Sequence, residues 1–411
     1  MDFYEQNFDD DRIKKASKKS LWKGIFIGGG VVLLGAGFII GCLIAILGQV
    51  GKMGVSGEFA LGKETLNKMN SLIQIVEKDY LYEVDEEKME EALYSAIFDS
   101  LGDPYSTYYT TEEYNEIMES TTGIYCGIGV VVQQDIESGY VLVVEPFEYG
   151  PAYEAGLRSG DLIVGVEGED VKGIDLSLVV KDIKGTEGTK VNITVRRGEE
   201  TFDLEVTRKM IEIINVEYEL LDDGVGYISI SSFEGNVAEQ FKEAYNELEK
   251  DGMTSLVVDI RDNPGGLLDA VIEMLDCFIE KGELIVYTKD KDGNRTDSVA
   301  KKGVSMDMPC VVLINGNSAS ASEIFAGALQ DYDKAYIIGT QSFGKGIVQS
   351  MMSLKDGSAF KITIEDYYTP NGKNIHGIGI TPDEVVEFDA EAYNKDGTDN
   401  QLNAAIEYLT K

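Results

Sequence analysis

With 411 residues and 43% hydrophobic content, the chain can hold two or three domains and a sizeable core, which argues against disorder. Its formal net charge of -37 excludes nucleic acid as a partner, because phosphate binding needs clustered lysine and arginine. A single histidine, His376, leaves almost no material for a Ser-His triad. Cys42, Cys126, Cys277 and Cys310 are widely spaced and have no CxxC or His-Cys pattern, so neither a disulfide framework nor a metal site is expected.

Residues 1–23 carry Arg12, Lys14, Lys15, Lys18, Lys19 and Lys23, and residues 24–50 contain no charged side chain. That length spans a bilayer as a helix, and positive flanks stay cytoplasmic. An uncleaved, single-pass signal-anchor in the cell membrane is expected, with the bulk of the chain outside the cytoplasm. Residues 51–120 read as a linker and helical cap. Met69, Leu72, Ile73, Val76 and Tyr80 recur at helical spacing, as do Met89, Leu93, Ala96 and Ile97. Asp103–Thr107 reads as a turn, and Glu112–Glu119 as a short helix.

Over residues 121–210 the period shortens to that of strands. Val130–Val132, Tyr140–Glu145, Leu162–Val166, Val191–Val195 and Phe202–Val206 alternate or run apolar, with short helices at Pro151–Ala155 and Leu176–Ile183. The Gly127-Ile128-Gly129-Val130 loop, the Pro151…Leu157 segment and the Gly160-Asp161-Leu162-Ile163 turn make this span resemble a PDZ domain. Such a loop can hold a terminal carboxylate, and the sheet edge beside it can accept a peptide as an added strand. Gly127, Ile128, Gly129 and Val130 are the expected peptide contacts, and apolar C-termini the expected ligands. Arg158 is a candidate for coupling this module to the next.

Residues 211–388 alternate strands with helices. Gly226–Ser231, Ser255–Ile260, Val311–Ile314 and Ala335–Gly339 read as strands, the second and third as buried on both faces. Phe241–Leu248, Leu267–Ile279 and Ser322–Gln330 read as helices. This rhythm implies an α/β core with its chemistry at the strand ends. Residues 389–411 read as an unassigned tail.

The chemistry-bearing stretch is Asn315–Asp331, with three serines at alternate positions, followed by Lys345 between two glycines. A hydroxyl needs a base to become a nucleophile, and a buried lysine whose charged form is disfavoured can serve. Ser320 falls at a helix N-terminus, where free N–H groups favour developing negative charge. Gly265 and Gly266 end a neighbouring strand. A backbone N–H there could complete an oxyanion hole with that of Ala321. Read blandly, Ser320-Ala321-Ser322-Glu323 is a capping box, Pro264–Gly266 a turn and Lys345 a solvated loop residue.

Taken in order, Asp103-Pro104-Tyr105-Ser106, the PDZ-like span, Arg261–Gly266, Ser318–Glu323, Gly344-Lys345-Gly346…Gln349, Tyr367–Gly372 and Gly377–Asp383 resemble the carboxyl-terminal processing, or tail-specific, proteases. The resemblance implies an α+β multidomain chain. Its α/β core would be of the ClpP/crotonase type, with an inserted PDZ domain and an N-terminal helical segment behind one transmembrane helix. It implies Ser320 as nucleophile, Lys345 as general base and Gln349 as the residue that holds the lysine amine, with no cofactor. The partners implied are protein or peptide substrates with apolar C-termini, and whether a homo-oligomer or an activating partner is involved stays open. The competing readings are a catalytically silent PDZ scaffold that binds tails without cutting them, and a crotonase-type acyl enzyme, against which the PDZ-like span and the Ser-Lys spacing count.

Overall fold

The computed structural model describes residues 61–148 and 150–411. The expected membrane span, residues 24–50, lies outside the described residues. Among the described residues no helix is long and apolar enough to cross a membrane. The chain divides into two units, Met1–Glu86 and Glu87–Lys411. In the first, helix Lys63–Asp79 contains the helical stripe expected from Met69 to Val76.

The second unit is built on a six-stranded sheet in the order Val216–Leu220, Val225–Ile230, Ser255–Asp259, Cys310–Ile314, Tyr336–Gly339, Glu384–Val385. The first pair is an antiparallel hairpin and the rest are parallel, with Ile228 beside Val258, Val258 beside Val312 and Val312 beside Ile337. Every residue of Ser255–Asp259 and Cys310–Ile314 is buried, as strands covered on both faces require. One face carries helices Val237–Lys250, Leu268–Leu275 and Ala321–Asp331. Phe233, Phe241, Phe278 and Phe325 meet there with ring centroids 5.9 to 6.4 Å apart. Helix Val237–Lys250 buries Val237, Phe241, Ala244, Tyr245 and Leu248, one stripe at a 3.6-residue period.

The other face is covered by helix Asn400–Leu409, whose Ala405 is buried among Val225, Val257, Val311, Leu313 and Ile338. Within the stretch 389–411, which the sequence left unassigned, helix Asn400–Leu409 thus packs on the core sheet. A second sheet of five strands was also not foreseen. In it Ala359–Tyr368 pairs with Ile347–Ser353, with Leu284–Asp290 and with the short strand Thr107–Tyr109, and Leu284–Asp290 pairs with Arg295–Val299, all antiparallel.

The inserted module is a sheet in the order Val130–Gln134, Val141–Pro146, Leu162–Val166, Lys190–Arg197, Glu200–Thr207, with helices Pro151–Ala155 and Leu176–Ile183. It has its own core around Ile128, Leu157, Ile163, Ile193 and Val195. The chain enters and leaves it through paired strands Ile124–Gly127 and Lys209–Glu212, close to the expected limits of 121 and 210.

Candidate active site

Strand Cys310–Ile314 ends in a turn that delivers the three alternate serines, and the structure separates their roles. Ser318 and Ser322 are fully buried. Ser318 Oγ donates to the Ile260 carbonyl at 2.8 Å and Ser322 Oγ to the Asn263 carbonyl at 2.9 Å. They staple the serine loop to the Arg261–Gly266 loop. Ser320, between them, is only partly buried and opens into a cavity of about 600 Å³. Its φ of 55° is a left-handed conformation that a non-glycine residue holds only at a cost of about 1–3 kcal/mol.

Lys345, Gln349, Gly265, Gly266 and Ala321 line the same cavity, so the expected nucleophile, base and backbone donors converge there. His376 is exposed and is not among the lining residues.

Glu323 explains how Lys345 arrives. Its buried carboxylate accepts from Ser320 N–H at 2.9 Å, Ser342 Oγ at 2.5 Å, Gly344 N–H at 2.7 Å and Lys345 N–H at 2.8 Å. The carboxylate half of the capping box is thus real, but the same group also gathers the lysine loop. Glu323 N–H donates to the Ser320 carbonyl at 2.9 Å, so a capping serine hydroxyl is not needed for that amide. Tyr367 adds a second tie. Its hydroxyl lies 2.9 Å from the Ser320 carbonyl and 2.7 Å from the Lys345 carbonyl. Burial, with the nearby Glu323 charge, pushes this phenol well above its ordinary pKa, so it stays a donor. Sequence reasoning placed both residues in motifs but gave neither this role in the site.

Lys345 is half-buried, with Nζ 5.0 Å from the centroid of the Tyr105 ring. Burial pulls the pKa of its amine down, and the positive charge of Lys361 pulls in the same direction. Asp103 and Glu323 oppose this but do not overcome it. Gln349 Nε2 donates to the Tyr105 carbonyl, and among the described residues no hydrogen bond joins Gln349 to Lys345 Nζ. The Asp103–Thr107 turn is therefore more than a helical cap. Asp103 accepts from Ser106 Oγ at 2.6 Å and Thr363 Oγ1 at 2.7 Å, and Tyr105 faces the lysine. Burial would raise the Asp103 carboxyl, but these hydrogen bonds outweigh it and hold it below the usual carboxylate value.

The expected oxyanion donors are corrected at one position. Gly265 N–H donates to Asn263 Oδ1 at 2.8 Å and is committed. Gly265 is needed for space instead. A Cβ there would sit 2.7 Å from the Ala319 carbonyl oxygen and 2.8 Å from Ser320 Cβ, at a φ of 103°. Among the described residues the N–H groups of Gly266 and Ala321 have no backbone acceptor outside regular elements, and both lie on the cavity.

In the inserted module, Gly127, Ile128, Gly129 and Val130 line a cleft of about 260 Å³ with Val180 and Ile183 of helix Leu176–Ile183. Strand Val130–Gln134 is an edge strand beside that cleft, open to an added strand. Arg158 does not act as expected. Its side chain donates to the Tyr153 and Leu157 carbonyls and stacks 4.3 Å from the Tyr153 ring, all within the module. Ion pairs join the module to helix Thr111–Thr122, from Lys181 to Glu112 at 2.8 Å and from Lys184 to Glu119 at 2.7 Å.

A strained serine at a helix N-terminus, a half-buried lysine in the same cavity and a peptide cleft with an open strand edge define a serine peptidase carrying a PDZ domain. The profile of peptidase family S41 matches residues 224–386, and a PDZ domain profile matches residues 143–197. A probable CtpA-like serine protease of Staphylococcus aureus (strain COL) is 37% identical over 369 residues, covering 89% of this chain and 73% of that protein. Its counterpart in Staphylococcus haemolyticus (strain JCSC1435) is 34% identical over 391 residues, covering 93% and 77%. A putative S41 protease from Bacteroides fragilis NCTC 9343 shares the fold at a TM-score of 0.52 and 16% identity, over 86% of this chain and 98% of that one. The chain belongs to peptidase family S41.

Proposed function

We propose that the protein is a membrane-anchored endopeptidase that holds the C-terminal tails of extracytoplasmic proteins at Gly127–Val130 and cleaves them with a Ser320–Lys345 dyad. One observation carries this reading. Of three alternate serines, two are buried as staples and the third shares an open cavity with a lysine whose charge is disfavoured. Neutral Lys345 Nζ takes the Ser320 proton as Oγ attacks the scissile carbonyl carbon. The N–H groups of Gly266 and Ala321 receive the oxyanion. The lysine ammonium then protonates the leaving amine, and water releases the acyl-enzyme by the same relay. Gln349, fixed through Tyr105, lines the same cavity as a neutral amide and so adds no charge that would raise the lysine pKa. Residues 24–50 serve as the anchor, on the strength of their uncharged length and basic flank.

The test uses the full chain, expressed in cells and then purified in detergent. It should fractionate with membranes and degrade an unfolded protein with an apolar C-terminus, whereas Ser320→Ala and Lys345→Ala should each lose at least about a thousandfold in kcat. Because the base works only when neutral, the rate should rise with pH along a limb below the ordinary lysine range. Substrate left equally intact by wild type and Ser320→Ala would establish the silent scaffold instead. A limb at the solution value of lysine would remove Lys345 as the base.

A further inference from the structure

The catalytic cavity is lined by two lysines, and the dyad uses one of them. The second, Lys361, lies on the long strand Ala359–Tyr368. In the ladder with Ile347–Ser353, Lys361 pairs with Met351 and Thr363 pairs with Gln349. Alternate residues of a strand share a face, and paired residues point to the same side of the sheet. Lys361 therefore projects with Met351 and Gln349, and all three line the cavity. Its Nζ lies 5.5 Å from the Tyr109 ring centroid, and among the described residues no carboxylate pairs with it within salt-bridge distance.

We propose that Lys361 is a positioning residue for the peptidase reaction: its ammonium, held in the same cavity without a counter-ion, repels a proton from Lys345 and keeps that amine ready to accept the one from Ser320. The inference rests on the reading of Lys345 as general base. Two carboxylates bear on Lys345 in the opposite sense, Glu323 from helix Ala321–Asp331 and Asp103 from the turn before Thr107–Tyr109. Each already accepts from other donors, Glu323 from the serine and lysine loops and Asp103 from Ser106, Thr363 and the Tyr105 N–H. Tyr105 presents its ring to Lys345, and Tyr367 is spent on backbone carbonyls. A neighbouring cation is an effective way to activate a lysine, because like charges in a partly desolvated site disfavour double protonation.

The experiment is the pH dependence of kcat for the full chain in detergent, on an unstructured peptide, comparing wild type with Lys361→Gln, Lys361→Met and Lys361→Arg. Loss of the charge should move the acid limb upward by about half to one pH unit, which is roughly a three- to tenfold loss of rate on the acid side. The rates should converge above the limb, and Lys361→Arg should leave the limb near its wild-type position. A limb unmoved in Lys361→Gln and Lys361→Met, or displaced equally in Lys361→Arg, overturns the proposal. Ser320→Ala and Lys345→Ala separate the two failures. If they retain activity, the dyad itself is wrong, and if they abolish it while the limb stays in place, only the role of Lys361 falls.

Discussion

At the scale of single residues, what separates Ser320 from Ser318 and Ser322 is which oxygen acceptors lie nearby. Ser318 and Ser322 are spent on the carbonyls of Ile260 and Asn263, whereas Ser320 faces open volume. Glu323 is the group on which this arrangement turns, since one buried carboxylate takes donors from both the serine turn and the lysine loop. Replacing it with glutamine keeps the shape but turns one acceptor oxygen into an NH₂ aimed at existing donors. Glu323→Gln should therefore cost about 2–3 kcal/mol in stability. It should also lower kcat tenfold or more with little change in KM, because it loosens the proposed dyad and leaves the peptide cleft untouched. Chemical denaturation and steady-state kinetics on the same preparation check both. A stability loss with unchanged kcat would reduce Glu323 to a packing role.

At the scale of elements, the C-terminal helix reaches the catalytic loop through one guanidinium. Arg261 begins the loop that ends in Gly265 and Gly266, and it bonds Asp259 at the end of its own strand and Asp399 at the start of helix Asn400–Leu409. Its positive charge is strongly stabilised, since the bonds to Asp259 and Asp399 outweigh the burial that opposes it. Asp399→Ala leaves the guanidinium with one carboxylate and should destabilise the chain by about 2–4 kcal/mol, read from the urea midpoint. A change under about 0.5 kcal/mol would mean that the helix is held by Ala405 and its apolar neighbours alone. The amphipathic and parallel-sheet elements were legible because burial imposes a period, as in Phe241–Leu248 and Ser255–Ile260. The second sheet was not. Its strand Ala359–Tyr368 is half-buried, with Lys361 facing the cavity, and a register shift between Val348 and Gln349 breaks the pattern of its partner. Ser320 and Lys345 could be singled out from the need for a nucleophile and a base, and both line one cavity. Asp103 and Tyr105 could not be given a role in the site from pattern alone, because they meet Thr363 and Lys345 only through the fold. The commitment of Gly265 N–H to Asn263 was equally invisible, since a glycine pair looks the same whether it supplies a donor or only space.

For the whole molecule, helix Thr111–Thr122 joins the two clefts. Ile117, Met118 and Thr121 line the catalytic cavity, Glu116 and Glu119 line the peptide cleft, and Ser120 lines both. The ion pairs Lys181–Glu112 and Lys184–Glu119 hold this helix against the PDZ helix. Both pairs are solvent-accessible, and such pairs are weak and easily screened. A peptide that entered the cleft would meet Lys184 and Glu119 directly, and Glu119 lies on the helix that also walls the catalytic cavity. Val180 is the residue with which to test whether the clefts act together, because it lines the peptide cleft and not the catalytic cavity. Val180→Asp places a charge opposite an incoming apolar side chain. It should raise KM for a substrate with a free apolar C-terminus by roughly tenfold or more. The same variant should leave turnover of a short peptide whose C-terminus is blocked near the wild-type value. Equal losses on both substrates would mean that the module supports the core only as a scaffold, and no loss on either would mean that tails reach Ser320 without passing the PDZ cleft.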